Sequence, residues 1–141
     1  MKKRIIFVSI VFLMFLTSCD PFTGQRPLDY PNTRWVAENP DMYFEVGDER
    51  NVTYCQITID GEPSEIICSF HISGKQVNFY DLSARILPTE EHPYEGLIGN
   101  KVLFTGLCEF SPKKLIVRIL DNEKGFLDDS IEEIVFIRED M

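Results

Sequence analysis

From Thr33 onward, apolar and polar residues alternate with a period of two, in short runs rich in β-branched and aromatic side chains. That period suits half-buried strands, because successive side chains on a strand point to opposite faces. The runs predict strands at 34–38, 42–46, 51–59, 64–72, 75–82, 84–87, 101–110, 114–120 and 132–138. The connections between them are mostly short and built from turn formers: Asn39-Pro40-Asp41, Gly47-Asp48-Glu49, Asp60-Gly61-Glu62-Pro63, Ser73-Gly74 and Ser111-Pro112-Lys113-Lys114. Ahead of this region the pattern changes twice. Residues 5–16 form an almost unbroken apolar run, and 20–31 (DPFTGQRPLDYP) carry three prolines and one glycine with no period at all. The second stretch predicts a tether whose root-mean-square span is about 20 Å.

The turns set a register. A turn at Asp60-Gly61-Glu62-Pro63 places Ile57 opposite Ile66 and Cys55 opposite Cys68. A two-residue turn at Ser73-Gly74 places Phe70 opposite Val77 and Cys68 opposite Phe79. Both choose one inward set: Cys55, Ile57, Cys68, Phe70, Val77 and Phe79. A slip of one residue would exchange the faces, so the agreement supports the register. With Pro112 second in a type I turn, Phe110 meets Leu115 and Cys108 meets Val117. One face then carries Val102, Phe104, Cys108, Phe110, Leu115, Val117 and Ile119.

One helix signal competes, the capping box Ser130-Ile131-Glu132-Glu133. The β-branched residues Ile131, Ile134, Val135 and Ile137 favour a terminal strand there, with at most a helical turn at 127–130. The expected fold is therefore all-β: a single antiparallel meander of eight or nine strands with one apolar face to bury. Closing into a small barrel buries that face and removes exposed edges. A β-sandwich is the alternative.

Lys2, Lys3 and Arg4 precede the apolar run, and Leu16-Thr17-Ser18-Cys19 ends it. A basic start, an apolar segment and small residues before a cleavage point are the parts of a secretory signal. The run of roughly 12 residues would reach about 18 Å as a helix, short of a hydrocarbon core of about 30 Å, which disfavours a membrane span. Ending in cysteine, the segment resembles the lipobox of bacterial lipoproteins. The resemblance implies cleavage before Cys19, acylation of Cys19 with palmitate-type chains, and a domain at 32–141 held by residues 19–31 on the extracytoplasmic side of the cell membrane. Stable anchoring takes two or more acyl chains, which such processing supplies. Asp20 resembles the inner-membrane retention signal of some Gram-negative lipoproteins. Thr33-Arg34-Trp35, at the start of the first strand, resembles the tryptophan-bearing first strand of small lipocalin-like lipoproteins, which implies a calycin-type barrel.

Losing residues 1–18 removes three basic residues and no acidic ones, so 11 basic face 23 acidic and the formal charge becomes −12. Such a balance argues against nucleic acid, whose affinity depends on cations that neutralise phosphate. It serves solubility, or a partner with a basic face.

Candidate chemistry is sparse. Beyond Cys19, three cysteines stay, an odd number. Cys55 and Cys68 face each other in the derived register, within disulfide reach, or else pack as two apolar thiols. The longest irregular stretch, 88–100 (PTEEHPYEGLIGN), gathers Glu90, Glu91, His92, Tyr94 and Glu95 as a candidate mouth or contact loop. A metal site there lacks a second histidine. His71 falls on the polar face of its strand. No nucleophile elbow, phosphate loop, dinucleotide glycine pattern or paired-histidine motif is present, so no cofactor and no catalytic residue is expected. The expected function is a membrane-anchored, non-enzymatic binding or interaction module for an unknown protein. The alternative is a lipocalin-like carrier of a small apolar ligand, which needs a cavity of about 300 Å³ or more.

Overall fold

The alternation folds into strands close to the expected positions. The computed structural model describes residues 26–90 and 96–141. Its strands are β1 (Thr33–Ala37), β2 (Met42–Val46), β3 (Val52–Ile59), β4 (Glu62–Phe70), β5 (Gln76–Asp81), β6 (Arg85–Ile86), β7 (Gly96–Leu97), β8 (Val102–Ser111), β9 (Lys114–Asp121) and β10 (Glu133–Asp140). β1, β2, β3, β4, β5, β8, β9 and β10 follow one another around a closed antiparallel barrel, and β6 pairs with β7 in a separate small hairpin. The ladder from Thr33↔Asp140 to Val36↔Ile137 joins first strand to last, so the barrel has no free edge and the sandwich is set aside.

Two of the three expected registers hold. Phe70 pairs with Val77 and Cys68 with Phe79, although five residues, 71–75, rather than two lie between β4 and β5. Phe110 pairs with Leu115 and Cys108 with Val117, across the two-residue turn Pro112-Lys113. The β3–β4 pairing differs by two residues. Asp60 and Gly61 both adopt positive φ (52° and 81°), the signature of a two-residue type I′ hairpin. Ile59 therefore pairs with Glu62 and Ile57 with Ser64. Pro63 fits in the strand because Thr58, its partner, sends its own N–H away to the Asp41 carbonyl (2.8 Å). Pro63 thus occupies a non-hydrogen-bonded pair, where no donor is needed. A shift of two keeps inside and outside unchanged, so the inward set survives.

The interior is filled. Trp35, Phe44, Phe79, Phe104 and Phe136 are at most 1% exposed, among Met42, Val46, Ile57, Val77, Leu115, Val117 and Ile134. Phe79 stacks on Phe104 at 4.3 Å between centroids, and Phe136 meets Phe44 edge-on at 5.2 Å. The one polar atom of Trp35 is satisfied: its Nε1 donates to Thr33 Oγ1 (3.1 Å), which donates in turn to the Tyr30 carbonyl (2.6 Å). That relay explains why Thr33 is a buried polar residue.

Strand direction gives the barrel two ends. The chain reaches it at the proximal end, shared by the β2–β3, β4–β5 and β8–β9 turns and the C-terminus. Residues 26–31, expected to belong to a free tether, pack on this end. Pro27–Asp29 form a 3-10 turn with Pro27 buried, Arg26 donates to the Ile72 carbonyl (2.9 Å), and Tyr30 lies against Phe110. The distal end carries the β1–β2 and β3–β4 turns, residues 82–90 and 96–101, and residues 122–132. The expected helical turn at 127–130 is instead an irregular loop pinned by Asn122, whose side chain accepts from Leu127 N (3.1 Å) and donates to Leu127 O (2.9 Å). Leu127 is thereby buried, and Phe126 stacks on Phe104 at 6.0 Å.

Candidate functional site

The barrel wall opens between β3 and β4. Their ladder runs only from Ile59↔Glu62 to Gln56↔Glu65. Beyond it, residues 52–55 and 66–69 line the two sides of an open groove of about 250 Å³, with Leu82, Arg85, Gly96 and Leu97 along its edge. β4 changes neighbour along its length. Its second half, from Ile66 to Phe70, pairs with β5, while the first half pairs with β3.

Three cysteines lie near this groove, with Cys55 and Cys68 in its lining. The pairing derived from sequence is corrected here: Cys68 faces Phe79 on β5, and the observed β3–β4 register carries Cys55 past it. Cys55, Cys68 and Cys108 are free thiols. The Cys55 thiol nevertheless neighbours that of Cys68. Burial, then the neighbouring Cys55 thiol, pushes the Cys68 thiol well above its ordinary value, and burial alone pushes Cys108 up to about 12. A thiol must ionise to act as a nucleophile or ligand. At neutral pH, Cys68 and Cys108 pack as small apolar groups.

Beside the groove, residues 82–90 and 96–101, between β5 and β8, lie at the distal end. Asp81 caps the 3-10 turn Leu82–Ala84 by accepting from Ser83 N (2.8 Å). Hydrogen bonds from Ser83 hold its carboxyl below the usual carboxylate range. Ala84 is fully buried and anchors the segment. Its carbonyl accepts from Ile98 N (3.1 Å), next to the pairs Arg85↔Leu97 and Ile86↔Gly96. Lys124 reaches across from the other distal loop to the Asn100 carbonyl (2.6 Å). The hairpin so held displays Leu82, Ile86, Leu87, Leu97 and Ile98 to solvent, Leu87 being 67% exposed.

The expected site residues fall in different places. Glu90 is exposed at the margin of this hairpin. Glu91, His92, Tyr94 and Glu95 lie outside the described residues, as does Cys19. His71 is exposed, as expected, in the proximal β4–β5 loop, with Nδ1 3.1 Å from Ser73 Oγ. Among the described residues, no group of three or more His, Cys, Asp or Glu side chains could hold a metal ion, and no helix is long and apolar enough to cross a membrane. Sequence reasoning missed β7 and the exposed apolar set around it. The available signal was Leu97-Ile98 inside an otherwise polar loop, able to meet Ile86-Leu87.

Comparison of the chain with models of protein families, with curated proteins and with solved structures finds no match.

Proposed function

We propose that this protein is a lipoprotein of a bacterial envelope. In this reading it is anchored through acyl chains on Cys19 to the extracytoplasmic side of the cell membrane, and it works as a non-enzymatic binding module. The sequence Leu16-Thr17-Ser18-Cys19, after a basic start and an apolar run, supports the anchor. Support for an interaction role, rather than a carrier role, comes from one observation. The inward set that a carrier would use as a cavity lining is consumed in packing: Trp35, Phe44, Phe79, Phe104 and Phe136 fill the barrel. A protein whose interior is spent on stability has its outer surface left for recognition.

The carrier of a small apolar ligand is the second reading, and the groove between β3 and β4 favours it. At about 250 Å³ the groove is slightly below the usual lower bound of about 300 Å³ for small-molecule sites.

Fractionation tests the anchor. The wild-type chain is expected with membranes and the Cys19→Ala chain off them; a Cys19→Ala chain retained as fully as wild type removes the lipidation. Native mass spectrometry tests the role. A co-purifying apolar molecule lost on Cys55→Phe would favour the carrier, and its absence with an intact barrel favours the interaction module.

A further inference from the structure

Charge is unevenly divided along the barrel axis. The described connections at the proximal end (26–32, 47–51, 71–75 and 112–113) hold four basic and three acidic residues. Those at the distal end (38–41, 60–61, 82–90, 96–101 and 122–132) hold three basic and eight acidic residues. Strand ends widen the difference. Lys114 and Asp140 cancel at the proximal end, while Glu62, Asp81, Asp121 and Glu133 all add acid at the distal one. The exposed apolar residues of the β6–β7 hairpin sit within this acidic end. Leu82 and Leu97 edge the same groove, and a β-carbon at Gly96 would touch Ile86 Cδ1. An apolar centre with a charged rim is the composition of a protein interface: the centre supplies the energy and the rim chooses the partner.

We infer that the distal end, centred on Leu82, Ile86, Leu87 and Leu97, docks a protein partner that presents apolar side chains inside a basic rim. The inference deepens the proposed function and rests on it for one point, that the distal end faces away from the membrane. Two other occupants are disfavoured by the same charges. A second copy would bring two acidic ends together, and an anionic lipid surface would repel the rim. A basic partner is instead drawn in by the field, with an on-rate that falls as salt rises.

The test uses the full chain in phosphatidylcholine vesicles, which carry no net charge, and two fluorescent helical peptides. Both peptides share one leucine face; one has a lysine-rich polar face and the other a glutamate-rich one. The lysine peptide is expected to bind and to weaken with salt. Zero-length carboxyl-to-amine cross-links are expected at Asp81, Glu90, Asp121 and Glu123 rather than at Glu45 and Glu109 on the barrel wall. Leu87→Ser with Leu97→Ser is expected to weaken binding by about tenfold or more, as loss of a central anchor does. Ile72→Ser, at the proximal end, is expected to leave it within about twofold. The inference is overturned by unchanged affinity in the double variant, by equal binding of the glutamate peptide, or by cross-links spread evenly over the wall. Binding of the distal end to empty vesicles, or a dimer lost on Leu87→Ser, would also overturn it by naming another occupant. The anchor is read separately through Cys19→Ala. Membrane retention without peptide binding sinks the docking face alone. A soluble wild-type chain sinks the anchor alone, and the titration then runs on that soluble chain.

Discussion

Arg26 lies flat across Gly74, so closely that its Cβ, Cγ and Cδ leave no room for a β-carbon there. This contact ties the start of the described chain to the β4–β5 loop at the proximal end. Gly74 also has φ of +68°, a region L side chains rarely adopt. Gly74→Ala is therefore expected to lower stability by about 2 kcal/mol, combining backbone strain with displacement of Arg26. Gly61, at φ +81° with open space around it, isolates the backbone part, and Gly61→Ala should cost about 1 kcal/mol. Denaturant midpoints of the two variants check the order; equal losses would mean that Arg26 simply moves aside.

Stacked aromatics carry the barrel. Phe79 is fully buried against Phe104, so Phe79→Ala is expected to cost about 3–5 kcal/mol, a large fraction of the stability of an ordinary domain. Leu87→Ser, at an exposed position, should stay within about 0.5 kcal/mol of wild type. Thermal unfolding followed by near-ultraviolet circular dichroism separates them. A large loss at Leu87 would mean that the hairpin is part of the core rather than a display surface.

The thiols give an alkaline signature. Cys108 is raised to about 12 by burial, and Cys68 is raised in the same sense, whereas an unfolded thiol titrates near ~8.5. Folding therefore holds protons that the unfolded chain releases. The stabilisation is complete below about pH 8.5 and is lost as pH climbs towards about 12. Urea midpoints measured from pH 7 to 10.5 should fall, and Cys108→Ala should flatten that fall by one proton. A slope unchanged by the substitution would remove Cys108 as its source. At pH 8 the native domain should resist thiol reagents at Cys68 until denaturant is added.

Asp81 gives an acid signature confined to the hairpin. Its carboxyl is held below the usual range by Ser83, so its contribution is present above about pH 4 and disappears as pH falls through its lowered folded value. Hydrogen exchange, corrected for intrinsic rate, should show residues 82–86 and 96–98 losing protection in acid while β1 and β10 keep theirs. Asp81→Ala should produce the same local loss at neutral pH. Loss spread across the whole barrel would assign the acid sensitivity elsewhere.

Fastening the proximal end is Arg138, which stacks over the Tyr30 ring at 4.7 Å and donates to the Pro112 carbonyl (2.7 Å). A lysine offers no planar fork to do both. Arg138→Lys is expected to cost about 1–2 kcal/mol and to raise hydrogen exchange at 26–32. Unchanged exchange there would show that the 3-10 turn is held by Arg26 alone.

Local alternation decided much of this molecule. Which side of each strand faces inward is a parity, so Cys55, Ile57, Val77 and Phe79 are inward whether or not the β3–β4 partner is right. Turn chemistry decided the β4–β5 and β8–β9 registers, because Gly74 and Pro112 act within a few residues of the pairs they align. The proposed lipobox at Leu16-Thr17-Ser18-Cys19 is likewise a matter of sequence alone and lies outside the described residues. Tertiary structure decided what depends on distant partners. Trp35 meets Phe110 and Phe44, and β1 closes on β10, because closing a curved sheet on itself buries its apolar face and pairs its edges. Asp60 and Gly61 could share a longer turn or fill a two-residue one, and the choice moved Cys55 from a place opposite Cys68 to a place beside it. Exposure of Leu87 and Leu97 was equally illegible. Their apolar character reads as core until Phe126 and Leu127 are seen to occupy the barrel end instead.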